Sequence, residues 1–423
     1  MNHFELRGGE LFCEDVSIAA IAEAVGTPAY VYSTATLERH YRVFRDALAA
    51  HPSLGSPLIA YAVKANSNLS VLRVLAALGA GADTVSEGEI RRALAAGVPA
   101  ERIVFSGVGK TEAELIFALE AGVGEINVES QPELDLIAQL AGAFGRRPTL
   151  ALRVNPDVGA GGHAKITTGV HGSKFGVALS EAEALYARAA GDPRVRMVGL
   201  ACHIGSQITD LAPLEDAFAR MRALVERLRS AGWAVERLDL GGGLGVPYFD
   251  QPDPPRPATF AAMVARVLAG LEVELSFEPG RVLAANAGVL VTQVLHVNLR
   301  PDGRRFLVLD GAMNDLLRPA MYEAWHDIRP VFPRDGPLVP YDVVGPVCES
   351  GDTFARDRPL PPLEAGDRVV FATAGAYGAV MASEYNSRPL VPEVLVSGDR
   401  FAVVRARPSY EAMLAREPLA PWL

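Results

Sequence analysis

The sequence predicts a TIM barrel, an α/β fold of the (β/α)8 type, followed by a mostly β C-terminal domain of β-sandwich or barrel-like form. Three observations carry this reading. From Thr36 to about Ala285, eight strand-length apolar runs alternate with amphipathic helical patterns, and eight such units over about 250 residues match the barrel in count and length. No Gly-x-Gly-x-x-Gly follows the first of these strands, which disfavours the doubly wound open sheet. From about Gly288 the texture changes to short strands punctuated by Pro and Gly, with few long helical periods.

Taken in order, residues 1–35 hold strand-like pieces, including Ala29–Ser33, and a short helix over Ser17–Val25 with Ser17 as N-cap. The barrel strands are expected at Leu58–Val63, Ala82–Val85, Ile103–Phe105, Glu125–Val128, Leu150–Val154, Met197–Cys202, Arg237–Leu240 and Val273–Phe277. Helical periods lie between them at Ser70–Leu78, Glu87–Ala96, Glu112–Ala121, Pro132–Ala143, Glu181–Ala190, Leu214–Ala231 and Phe260–Leu271. In the second domain, strands are expected at Val289–Val297, Arg305–Leu309, Tyr341–Val344, Arg368–Ala372, Glu393–Val396 and Phe401–Arg405. The domains are therefore drawn as 36–285 for the barrel and 1–35 with 286–423 for the β-rich part, since chain termini often lie close together. The run Gln251–Pro257, with four prolines, reads as a rigid surface loop.

Composition excludes several classes. A net charge of −10 argues against a nucleic-acid partner. No apolar run approaches the ~18 residues that span a bilayer, and Met1–Ser17 lacks the pattern of a signal peptide. Three widely spaced cysteines, Cys13, Cys202 and Cys348, suggest neither a disulfide framework nor a metal site, and a reducing cytoplasm is expected.

Chemistry-bearing residues fall at the C-terminal ends of the barrel strands, where such barrels build active sites. Lys64 follows the first strand, in a chain with only four lysines: Lys64, Lys110, Lys165 and Lys174. A primary amine can form a Schiff base with an aldehyde and arginine cannot; the bland alternative is a surface lysine. Asp83 and Ser86, Ser106 and Gly107, Asn127 and Glu129, and Arg153 and Asn155 close strands two to five. His203 follows strand six and offers a flat face, or simply a hydrogen-bonded structural imidazole. Gly241, Gly242 and Gly243 follow strand seven, a common phosphate position, although a bare glycine turn is weak evidence alone. Glu278 opens Glu278-Pro279-Gly280-Arg281 after strand eight, as a partner for a protonated ring nitrogen or for Arg281. An amine for an aldehyde, a glycine loop for a phosphate, a flat partner and a carboxylate for a pyridinium together suit pyridoxal 5'-phosphate.

These stretches resemble the alanine-racemase-like, fold type III pyridoxal-phosphate enzymes and, within them, the diaminopimelate decarboxylase family. The resemblance rests on Tyr61–Asn66, Asn127–Ser130, Arg153–Asp157, His163–Gly169, Ser173–Gly176, His203–Ile208, Leu238–Gly243, Glu278–Arg281, Gly311–Tyr322, Val344–Asp352, Ala374–Gly378 and Tyr385–Pro389, and covers nearly the whole chain in order. It implies that Lys64 carries the cofactor as a Schiff base, His203 stacks on its ring and Glu278 pairs with its nitrogen. Ser206, Gly241–Gly243 and the Glu278–Arg281 backbone would hold the phosphate. Arg281, Arg318 and Tyr322 would bind the distal part of the substrate, Glu349 its ammonium, and Cys348 would protonate the α-carbon after carbon dioxide leaves. Tyr377 would lie near both cofactor and substrate. Cys348 and Glu349 would reach the partner subunit's site, which implies a homodimer. Met321 and Val347 stand where leucine and isoleucine are usual, and Gly159–Gly162 where the loop is often more polar. The loop His163–Gly172 is expected to close over the site.

Competing readings are decarboxylases of ornithine, arginine or carboxynorspermidine, a non-catalytic binding relative, and an amino-acid racemase. Arg318, Tyr322 and the Cys348–Asp352 segment favour diaminopimelate over the first group. The joint presence of Lys64, His203 and Cys348 argues against the second. The glycine loop, the distal arginines and Cys348 argue against the third.

Overall fold

The computed structural model describes residues 2–159, 168–169, 172–248 and 253–423. Most of the loop His163–Gly172 and part of the Gln251–Pro257 run therefore lie outside the described residues. The chain divides into two compact units, Glu38–Pro247 with Pro252–Leu283, and Met1–Leu37 with Tyr248–Gln251 and Ala284–Leu423.

In the first unit, short strands rich in Ile, Val, Leu and Ala are buried along almost their whole length, as expected of parallel strands covered on both faces. They run Leu58–Ala62, Gly81–Thr84, Ile103–Phe105, Glu125–Val128, Thr149–Asn155, Arg196–Ala201, Arg237–Asp239 and Glu274–Phe277, each parallel to the next. Ser276 and Phe277 of the last pair with Leu58 and Ile59 of the first and close the barrel. A two-residue strand, Val177–Ala178, adds to the end of strand five.

Four of the barrel helices begin where the sequence supplies an acceptor for their free N–H groups. Asn68, Ser86, Thr111 and Ser130 each cap a helix through the side chain, and Thr111 with Glu114 forms a reciprocal capping box. The longest helix without a counterpart in the sequence reading is Thr34–Ala49. Its Phe44 packs with Phe260 and Phe277, ring centroids 6.1 Å from each.

The second unit is built on one long strand, Gly288–Leu299. Its first half pairs antiparallel with Ala29–Ser33 on one side and Arg368–Phe371 on the other, and its second half with Arg305–Leu309. The sheet continues through Val339–Val344 to Thr353–Leu360 at one edge, and through Glu393–Ser397 to Arg400–Arg405 at the other. The N-terminal segment thus contributes a central strand. Val31, Val289, Val291, Val370, Val394 and Val396 form its core with Ile18 and Ile21 of the Ser17-capped helix Ile18–Val25. Two strands escape the sequence reading: Thr353–Leu360, whose two arginines, aspartate and proline hide its pattern, and Ile328–Pro330, which is too short to show one. No helix among the described residues is long and apolar enough to cross a membrane.

Candidate active site

Strand Leu58–Ala62 ends in a single 3-10 turn, Val63–Ala65, that presents Lys64 at the C-terminal end of the barrel. Lys64 Nζ donates to Asp83 Oδ2 at 2.7 Å. Asp83 closes the neighbouring strand and its side chain is fully buried, while that of Lys64 is 34% exposed. The amine is therefore aimed by a buried charge yet open to a ligand.

Carboxyls cluster beside it. Asp239 Oδ1 accepts the Gly241 N–H at 2.7 Å. Burial pushes the Asp239 carboxyl up to about 6, against that hydrogen bond. Burial, and then the charges of Asp239 and Asp83, raise the Glu278 carboxyl well above the ordinary range, while Lys64 and Arg153 oppose them. Burial and the neighbouring carboxyls thus favour the protonated form of Glu278. A pyridinium opposite it would supply the missing positive charge.

His203 follows strand six. Its Nδ1 accepts the Gly242 N–H at 3.2 Å, which places the ring proton on Nε2. Burial and the cations Lys64 and Arg153 hold its pKa well below the usual histidine range, so the ring is neutral. Glu129 ties its neighbours together. It accepts from Arg153 Nη1 at 2.7 Å and from the backbone of Gly107 and Gly176 at 2.9 and 3.0 Å. Asn127 donates to Ser106 Oγ at 3.0 Å. These four strand-end side chains brace the barrel mouth.

The glycine loop is more committed than its composition suggests. Of its three amides, Gly241 N–H is taken by Asp239 and Gly242 N–H by His203. What demands glycine is close packing. A Cβ on Gly241, Gly242 or Gly243 would lie 2.4, 2.3 or 2.6 Å from the carbonyl oxygens of Cys202, Glu278 or Gly205. A Cβ on Gly280 would come within 3.0 Å of Ala62 and Ala65. Arg281 reaches Ser206 Oγ from Nε at 3.3 Å and Nη2 at 3.1 Å. The result is a side-chain-free cradle flanked by a guanidinium and a hydroxyl, on the same barrel end as Lys64, His203 and Glu278. The residues present fit pyridoxal phosphate: an amine, a neutral flat ring, a buried carboxyl and a glycine cradle with a guanidinium and a hydroxyl beside it.

The remaining candidates belong to the β unit. Arg318 is buried; its Nη1 donates to His326 Nε2 at 2.8 Å, its guanidinium lies 4.9 Å from the Tyr248 ring, and His326 Nδ1 donates to the Ala372 carbonyl at 2.9 Å. Tyr322 ends the same short helix, Arg318–Tyr322. Tyr377 has a left-handed backbone, φ +55°, a conformation uncommon for a bulky residue. Cys348 is the one exposed cysteine, since Cys13 and Cys202 are buried, and Glu349 beside it is exposed as well. Sequence reasoning gave no role to Asp239, Tyr248 or His326. Only the aspartate carried a signal, its place two residues before the glycine loop. Among the described residues no cluster of His, Cys, Asp and Glu could hold a metal ion.

A closed parallel barrel with a lysine amine, a buried acid and a glycine cradle at its C-terminal end defines a pyridoxal-phosphate enzyme. The sequence pattern of the pyridoxal binding domain of pyridoxal-dependent decarboxylases matches residues 34–285. Similar proteins include the diaminopimelate decarboxylase of Pseudomonas fluorescens, 50% identical over 422 residues and all of both chains, and that of Zymomonas mobilis, 48% identical over 99% of both. The solved diaminopimelate decarboxylase of M. jannaschii in complex with L-lysine matches with a TM-score of 0.95 at 36% identity, covering 100% of each chain. The chain belongs to the diaminopimelate decarboxylase family.

Proposed function

We propose that this protein removes one carboxylate from meso-2,6-diaminopimelate to give L-lysine and carbon dioxide, the last step of lysine biosynthesis. The observation that carries the reading is the Lys64–Asp83 pair set among His203, Asp239 and Glu278 at the barrel mouth. Pyridoxal phosphate bound there supplies the electron sink that accepts the pair left when the carboxylate bond breaks.

The chain's own groups do the rest. Lys64 would hold the cofactor through its amine, and Glu278 would serve as the charge partner of the ring nitrogen. His203, neutral and fixed by Gly242, would offer its flat face to the ring. Ser206, Gly241–Gly243 and the Glu278–Arg281 backbone would bind the phosphate, with Gly241 and Gly242 acting by close packing more than by free amides. Arg281, Arg318 and Tyr322 take the distal carboxylate, where forked donors match two oxygens. Glu349 takes the distal ammonium, and Tyr377 adjoins cofactor and substrate. Cys348 delivers the proton to the α-carbon. Cys348 and Glu349 complete the site of a second subunit, so the working unit is a homodimer in the reducing cytoplasm. The L-lysine bound by the M. jannaschii relative supports the product.

The test is release of carbon dioxide and L-lysine from meso-diaminopimelate with added pyridoxal phosphate, beside L-ornithine and L-arginine. Release only from diaminopimelate is expected. Release from another substrate keeps the cofactor assignment and overturns the roles of Arg318, Tyr322 and Glu349.

A further inference from the structure

The loop that carries Cys348 and Glu349 is stapled from within at its base and exposed at its tip. Asp352 is buried, and its carboxylate accepts the N–H of Met313 at 2.6 Å and of Val347 at 2.7 Å. Its backbone carbonyl accepts from Gly345 at 3.1 Å, and its own N–H donates to the Glu349 carbonyl at 3.1 Å. A Cβ on Gly345 would sit 2.4 Å from Asp352 Oδ2, so the loop closes tightly on this carboxylate. These bonds fix the base. Cys348, Glu349, Ser350 and Gly351 are exposed.

A second strap of the same unit meets that tip. Asn386 Oδ1 accepts the Cys348 N–H at 3.3 Å. The strap is anchored at both ends. Ser383 exchanges hydrogen bonds with Asn314 at 3.0 and 2.8 Å, Glu384 pairs with Arg416 at 2.6 Å, and Arg388 reaches the Asp310 carbonyl at 2.6 Å and Asp315 Oδ2 at 3.1 Å. Between these anchors Asn386 and Ser387 both take left-handed backbone, φ +56°. Two successive non-glycine residues in that region are unfavourable, and they persist only where the surroundings hold them.

We propose that Asn386 is a clamp that positions the proton donor: its side-chain oxygen holds the Cys348 backbone N–H, and the anchored, left-handed strap holds Asn386 in place. The clamp rests on the role given above to Cys348. Asn386 does not touch the reacting atoms and acts through Cys348. One strap residue thus governs the rate of proton delivery without taking part in substrate binding.

The test uses the full chain loaded with pyridoxal phosphate and three variants. Asn386→Gly keeps the left-handed backbone and removes the acceptor, and Asn386→Asp keeps both. Cys348→Ala is the reference for the donor. Asn386→Gly is expected to lower kcat about tenfold or more with KM for diaminopimelate nearly unchanged, the scale of a displaced general acid, and Asn386→Asp to restore most of it. The cofactor dissociation constant and the thermal midpoint should stay at wild-type values in both Asn386 variants. If Cys348→Ala is severe while Asn386→Gly is silent, or if Asn386→Asp is no better than Asn386→Gly, the clamp is overturned and the role of Cys348 stands. If Cys348→Ala itself leaves kcat intact, the reading of the donor fails and takes the clamp with it.

Discussion

Lys64 Nζ lies 2.7 Å from Asp83 Oδ2, and the carboxylate that holds it has no exposed side-chain surface. A buried acid at this distance fixes the amine at the barrel mouth, where it would meet an aldehyde. Lys64→Ala should abolish turnover, and with it the visible absorption of bound cofactor and any mass trapped on the chain by borohydride. Wild-type activity in this variant would rule out the central reading.

Gly242 tests the packing of the cradle. A methyl group there would lie 2.3 Å from the Glu278 carbonyl oxygen, so the backbone of one loop must move. Gly242→Ala should weaken pyridoxal phosphate binding at least tenfold, and overpacking should cost stability of about 1–3 kcal/mol. Fluorescence titration and thermal melting measure the two effects. An unchanged affinity would mean that the glycines serve the turn alone.

Glu125, at the start of barrel strand four, predicts a pH dependence of stability. Burial, then the nearby charge of Asp239, raises its carboxyl to about 7, while Arg237 opposes them. A folded-state value above the unfolded one means that its stabilising contribution is complete below about 4.5 and is lost as pH rises through about 7. Above that point the buried ionised form costs on the order of 3 kcal/mol. Glu125→Gln should melt higher than wild type at pH 8, with the gap closing by pH 4.5. A gap of the same size at both ends would remove the titration as its cause.

For Cys348, the assigned role is delivery of a proton late in the reaction. Cys348→Ala should therefore lower turnover far more than it lowers cofactor affinity. Equal losses in both would point instead to a structural thiol.

Lys64, His203, the glycine loop and Glu278 are legible in the sequence because each sits at a strand end in a repeating βα pattern, and strand ends can be counted from hydrophobic period alone. Asp239 is not, although it stands two residues before Gly241. Its role depends on being buried beneath the loop with its carboxyl beside Glu278, and burial is a property of the closed barrel. Glu129 and Arg153 read as two more polar residues at the mouth. Their 2.7 Å ion pair forms because strands four and five are neighbours in register. The strand Thr353–Leu360 stays hidden for a related reason: as an edge strand it tolerates charges and a proline that a central strand would reject.

The sequence by itself determined the alternation of strands and helices, the change of texture near Gly288, and the one lysine at the mouth of a buried strand. These are local properties, set by period, capping and residue type. Only the tertiary structure decided which carboxyls are buried together, which glycine amides are already taken, and that the Ala29–Ser33 segment becomes a central strand between Gly288–Leu299 and Glu393–Ser397. It also brought Asn386 to Cys348, 38 residues apart in the chain. Such outcomes depend on distances between residues remote in sequence, and those distances exist only once the strands have paired and water has been excluded from between them.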